Sequence, residues 1–140
     1  MQGNFDNKLE KLREFLKRQK FVRFAYLFGS HARRNAGSLS DIDIAVYLAE
    51  ESPTKIHEKE LFLIGSIEGI LETDKLDSVI LNNLDAAFCF NVIKEGMPIK
   101  SSVKMKEFEF HVMRQFLDEQ YHEEFMADIA LERISKRGLL

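Results

Sequence analysis

The sequence predicts a single α/β domain, a small mixed sheet with helices packed on one face. Three observations predict it. Strand-like segments flank a Gly29-Ser30 turn, and segments with apolar residues at helical spacing precede, separate and follow the strands. No internal repeat or low-complexity stretch divides the 140 residues, a length that buries one sizeable core. The domain is therefore read as residues 1–140, with a C-terminal helical region from about residue 104.

Composition narrows the function classes. The net charge of −3 gives no general affinity for a polyanion, so no direct nucleic-acid partner is expected. The single cysteine, Cys89, excludes an internal disulfide framework and suits a reducing compartment. No apolar run approaches a membrane span, and the segment Met1 to Lys20 is charged and helical in pattern rather than signal-like. A cytoplasmic location without membrane contact is the expectation.

In chain order, Phe5 to Arg18 places Leu9, Leu12, Phe15 and Leu16 at helical spacing, with Asn4 or Asp6 as the cap. Residues 22–28 form the first strand, which stops at Gly29-Ser30. His31 to Asn35 is helix-compatible until Gly37-Ser38 breaks it. Residues 41–48 form the second strand, where Asp41-Ile42-Asp43-Ile44 alternates acid and aliphatic. Ser52 or Thr54 caps a helix from Ile56 to Glu72. Gly65 and Gly69 cost that helix roughly 1 kcal/mol each relative to Ala; four apart, they would permit close packing on one face. A third strand spans residues 76–82, and Leu84 to Lys94 is a short helix ended by Gly96. Met97-Pro98-Ile99-Lys100 reads as an edge strand, the place where Pro98 is tolerated. Lys104 to Lys136 is the longest helical pattern. Its apolar stripe shifts from the row Phe108, Val112, Phe116 to the row Leu117, Tyr121, Phe125, Ile129, so the stripe drifts or the helix breaks.

Chemistry concentrates around the second strand. Residues two apart on a strand point the same way, so Asp41 and Asp43 share one face while Ile42 and Ile44 enter the core. Two neighbouring carboxylates repel each other, and a divalent cation removes the conflict; such pairs hold Mg²⁺ against substrate phosphates. A glycine after a strand lets the backbone approach an anion closely, and the N–H groups opening the next helix point at it. Gly29 and Ser30 therefore offer an anion cradle beside a metal site.

Gly29-Ser30, ten residues, then Asp41-x-Asp43 resembles the G-S-x10-D-x-D signature of the DNA polymerase β-like nucleotidyltransferase superfamily. The contexts Leu27-Phe28-Gly29-Ser30 and Ser40-Asp41-Ile42-Asp43, in so short a chain, resemble its minimal nucleotidyltransferases, the antitoxins of HEPN/MNT toxin–antitoxin pairs. The resemblance covers about residues 20–82 well and the rest by general plan. It implies transfer of AMP from ATP, with two Mg²⁺ ions, to a hydroxyl of a partner HEPN ribonuclease, a tyrosine, in a hetero-oligomer with that toxin. It implies that Asp41 and Asp43 hold metal and that a third acid on the next strand completes the site. Asp77 matches in order and context, with Asp74 and Asp85 as rivals. It gives Arg33 the role of holding the triphosphate or supporting the loop, and His31 a plausible phosphate contact, leaving Arg34 solvated. A non-catalytic antitoxin and transfer to a small molecule such as an aminoglycoside are the alternatives.

Other polar residues read plainly. His57, His111 and His122 lack metal-ligand spacing and belong on the surface. Cys89 is a small buried hydrophobe. The acidic run Asp118 to Glu124 reads as a solvated helix face, but Tyr121, Phe125 and Met126 among the acids mark the same stretch as a candidate partner site.

Overall fold

The near-continuous apolar run of the first strand is explained by a sheet with protein on both sides. The structure, a computed structural model, describes residues 2–29, 41–136 and 138. Its elements are α1 (Gln2–Arg18), β1 (Val22–Phe28), β2 (Ile42–Leu48), α2 (Pro53–Leu71), β3 (Leu76–Ile80), a 3-10 turn (Leu81–Asn83), α3 (Ala86–Glu95), β4 (Met97–Lys100) and α4 (Val103–Lys136). The sheet order is β3-β2-β1-β4. β2 and β3 are parallel, joined by the α2 crossover, and β1 pairs antiparallel with both β2 and β4. The edge strand holding Pro98 is as expected, and so is the small mixed sheet of an α/β architecture.

Alternation along β1 sorts its side chains into two cores. Val22, Ala25 and Leu27 join Ile44, Val46 and Leu48 of β2 against Leu9, Leu12 and Leu16 of α1 and Leu63, Ile67 and Leu71 of α2. Phe24 and Tyr26 join Ala45 on the other face, against Cys89 and Val92 of α3 and Met105 and Val112 of α4. The face expected to be open is thus only partly open: α3 and α4 cover much of it. Its strand-end margin carries the acids.

Long-range polar contacts tie the layers. The Asn82 side chain donates to the Leu48 carbonyl at 2.8 Å and accepts from the Leu48 N–H at 2.9 Å, extending strand-like pairing past the end of β3. Lys100 Nζ donates to the carbonyls of Leu16 and Gln19 at 2.8 and 2.9 Å, satisfying acceptors at the α1 C-terminus. Tyr26 donates its hydroxyl to Glu109 Oε1 at 2.7 Å, anchoring α4 to the sheet.

One expectation fails, and one pair of alternatives is decided. Gly65 and Gly69 face open space, with nothing within 4 Å of a Cβ at either position, so they mediate no close packing. The long C-terminal pattern is one unbroken helix of 34 residues. Its apolar stripe changes sides because the helix outruns the domain. Met105, Phe108 and Val112 dock on the sheet, and Phe116 stacks on Phe90 with centroids 4.2 Å apart. Ser52 caps α2 by position alone, without a side-chain hydrogen bond.

Candidate active site

Three strands deliver the chemistry to one end of the sheet. β1 ends at Phe28, whose register partner on β2 is Asp43, and Asp43 in turn pairs with Asp77 on β3. The two carboxylates are therefore neighbours across a parallel ladder. They lie on the face of Phe28, Ala45 and Val79 rather than that of Ile42, Ile44 and Leu76, which enter the opposite core. Asp41 precedes β2 by one residue and is exposed, Asp43 is half-buried, and Asp77 is exposed.

Gly29 closes β1 with a φ of +73°, a left-handed turn that glycine adopts without strain. A Cβ there would collide with the Asp43 carboxylate, lying 3.1 Å from Cγ and 3.5 Å from Cβ of that residue. The turn backbone and the acid are thus packed directly together, and a glycine is what lets them be. Ser30 and Arg33, expected to grip phosphate, lie outside the described residues, as do His31 and Arg34.

The structure distinguishes the three candidates for the third acid. Asp85 is the N-cap of α3, its Oδ1 accepting from the Phe88 N–H at 2.8 Å. Asp74 lies in the bend between α2 and β3, outside the ladder. Asp77 alone of the three has the Asp43 register position beside it.

As a donor set, Asp41, Asp43 and Asp77 are all carboxylates, the hard oxygen ligands that a Mg²⁺-sized cation takes. The backbone fits that use, with two acids adjacent in register and the third two residues along the same chain line. Among the described residues, no group of three acidic, histidine or cysteine side chains converges on one point.

An aromatic wall was missed by sequence reasoning. Phe88 on α3 meets Phe28 edge-on at 6.4 Å and keeps 39% of its surface exposed, next to the register position of Asp43. The signal was the alternation Phe88-Cys89-Phe90, in which Cys89 is buried and its neighbours face outward by degrees. His57, His111 and His122 are exposed, as expected; His57 stands 3.9 Å from Glu60.

Comparison with known proteins follows the same lines. Residues 10–104 match the family model described as "Polymerase beta, Nucleotidyltransferase". No curated protein matches the chain. Among solved structures, a toxin–antitoxin complex with AMP-PNP contains a chain that superposes with a TM-score of 0.64 at 23% identity, covering 89% of this chain and 97% of that one. A complex of tri-AMPylated Shewanella oneidensis HEPN toxin with MNT antitoxin gives 0.62 at 20% identity, covering 90% and 98%. A MntA toxin–antitoxin complex gives 0.61 at 21%, covering 90% and 98%. At these identities the likeness is one of fold.

Proposed function

The chain belongs to the polymerase beta nucleotidyltransferase family, and from that premise we propose that it is an antitoxin transferring AMP from ATP to a tyrosine hydroxyl of a partner HEPN ribonuclease. The observation that carries this reading is the register Phe28–Asp43–Asp77, which sets two carboxylates side by side against a left-handed glycine turn. Support for the acceptor comes from the neighbours of like fold, one a HEPN toxin carrying AMP groups beside its antitoxin, another holding an ATP analogue. A cytoplasmic location belongs to the same proposal; among the described residues no helix is long and apolar enough to cross a membrane.

Asp41, Asp43 and Asp77 would hold magnesium, a pair of ions in the full reading. Bound there, the metal would supply charge neutralisation and orientation of the transferred phosphate. The remaining work falls to the chain. Gly29, with no side chain of its own, lets a triphosphate approach the turn backbone. Ser30 and Arg33 would grip the β- and γ-phosphates through a hydroxyl and a guanidinium. Phe88 offers its exposed ring as a stacking surface for the purine. The acceptor oxygen attacks the α-phosphorus, the bond to the bridging oxygen breaks, and pyrophosphate leaves. Asp77, at the outer side of the pair, helps take the proton of the attacking hydroxyl.

The test is incubation of the chain with its cognate HEPN ribonuclease and ATP labelled at the α-phosphate. Label on a ribonuclease tyrosine, dependent on Mg²⁺, is the expected result. Stable association without label would favour an antitoxin that works by binding alone, and label on an aminoglycoside instead would make the acceptor a small molecule.

A further inference from the structure

A cleft of about 500 Å³ lies at the end of the sheet away from the acids, and nucleotidyl transfer makes no use of it. Arg23, Tyr47, Glu50, Glu51, Asn82 and Lys104 line it. Asp43 stands at the start of β2 and Tyr47 near its end, so the two sites are about 13 Å apart along the strand. The volume is that of a small-molecule pocket, for which roughly 300–1,000 Å³ is usual.

The backbone is shaped to present Arg23 there. Val22 pairs with Leu48 and Phe24 with Tyr47, so Arg23 is an extra residue with no partner of its own on β2. Val22 and Phe24, two apart, consequently enter opposite cores. A bulge of this kind re-aims a side chain, and it leaves Arg23 exposed at the strand end. Lys104 comes from the first turn of α4, where orphan N–H groups and the helix dipole add positive potential. Tyr47 is held by Phe24, stacked on it at 5.0 Å, and by Phe108 at 5.4 Å, with Lys104 Nζ 5.9 Å from its ring centre.

The donors of this cleft are unspent. Among the described residues, the Arg23 guanidinium, the Lys104 ammonium and the Tyr47 hydroxyl make no hydrogen bond or ion pair. The Arg23 charge is felt at Lys100, whose pKa burial lowers first and Arg23 lowers further. The Glu50 carboxylate is turned back on the N–H groups of Glu51 and Ser52 at 3.1 and 3.3 Å, and Asn82 is committed to Leu48. Glu51 stays exposed as an acceptor. Two cations and a hydroxyl match a phosphate monoester, which is nearly dianionic at neutral pH and offers an arginine fork two oxygens. A carboxylate would leave one cation unanswered. Glu51 repels further anionic charge and accepts from hydroxyls, so the remainder of the ligand is a sugar. We propose that this cleft binds a sugar phosphate, free or as part of a mononucleotide, at a site separate from the acids; the inference stands whether or not the chain transfers AMP.

The experiment is calorimetric titration of the full chain, wild type and Asp43→Asn, with ribose 5-phosphate, AMP and inorganic phosphate in a metal chelator. Chelator and substitution together remove metal-dependent binding at the acids. Saturable binding of ribose 5-phosphate and AMP, one per chain and tighter than inorganic phosphate, is expected; the net charge of −3 gives the chain no general hold on anions. Arg23→Gln and Lys104→Gln, both at exposed positions, should each weaken it at least ~10-fold while the ligand-free melting temperature stays put. Arg23→Lys, which keeps the charge and loses the fork, should fall between. AMP bound more tightly than ribose 5-phosphate would support the mononucleotide, and equal affinity the free sugar phosphate. No saturable binding, inorganic phosphate bound as tightly, or affinity untouched by the Arg23 and Lys104 substitutions overturns the proposal. Binding by the wild-type chain that Asp43→Asn abolishes would place the ligand at the acids and overturn it too.

Discussion

The Asp43 carboxylate occupies the space into which a side chain at Gly29 would grow, so the turn that ends β1 and the acid near the start of β2 form one rigid corner. Replacing Gly29 with Ala forces a left-handed residue, at about 1–2 kcal/mol, and pushes the carboxylate aside. We expect a modest drop in melting temperature and a much larger loss of nucleotidyl transfer. Transfer that falls only in proportion to stability would mean the corner is structural.

The third acid separates by function from its rivals. Asp77→Asn should leave Mg·ATP stabilisation measurable and cut transfer by orders of magnitude, because it removes the group proposed to help the acceptor. Asp85→Ala should cost about 1 kcal/mol, the worth of a helix cap, and leave transfer intact. Asp74→Asn should do neither. Normal transfer by Asp77→Asn, with loss in either other variant, would show the wrong acid to have been chosen.

Phe88 gives a test of the nucleotide's position. Base–aromatic stacking is worth about 1–3 kcal/mol, so Phe88→Ala should raise the KM for ATP about fivefold or more. Phe88→Tyr should keep the stack and restore most of the affinity. An unchanged KM in Phe88→Ala would place the base elsewhere.

Stability should fall in alkali. Burial holds the Cys89 thiol protonated, raising it from an ordinary value near 9 to about 11. Burial, then the hydrogen bond to Glu109, raises Tyr26 above its ordinary value of 10. In both cases the folded state keeps a proton that the unfolded chain releases. The stabilisation is complete below the unfolded values and is lost as pH rises through the folded ones. For Cys89 that window runs from about pH 9 to about pH 11. Urea midpoints should therefore drop between about pH 9 and about pH 11, and Cys89→Ala should show a shallower drop. A slope identical in the variant would assign the loss to other groups.

How far the sequence could be read depended on the range of the interaction. Strand and helix placement was legible because it is local: the alternation at Asp41-Ile42-Asp43-Ile44, the Pro98 edge and the Gly96 stop each act within a few residues. Asp77 was reached through the family resemblance, which puts a third acid on the next strand, and the parallel ladder sets it in register with Asp43. The cover on the second face was not, although Phe24, Tyr26 and Phe28 alternate with Val22, Ala25 and Leu27 in the manner of a strand buried on both sides. Gly65 and Gly69 misled because spacing on one helix face does not say whether anything lies against it. The contacts of Asn82 with Leu48, Lys100 with α1 and Tyr26 with Glu109 join residues far apart in sequence, where no local pattern announces a partner.

The central claim is that paired acids at one sheet end carry out AMP transfer to a toxin, and intact-mass spectrometry of the cognate HEPN ribonuclease tests it most directly. After incubation with the wild-type chain and Mg·ATP, the ribonuclease should gain mass in whole AMP increments located on tyrosine. Asp43→Asn should give no increment while still binding the ribonuclease. No gain with the wild-type chain, or an undiminished gain with Asp43→Asn, would contradict the account.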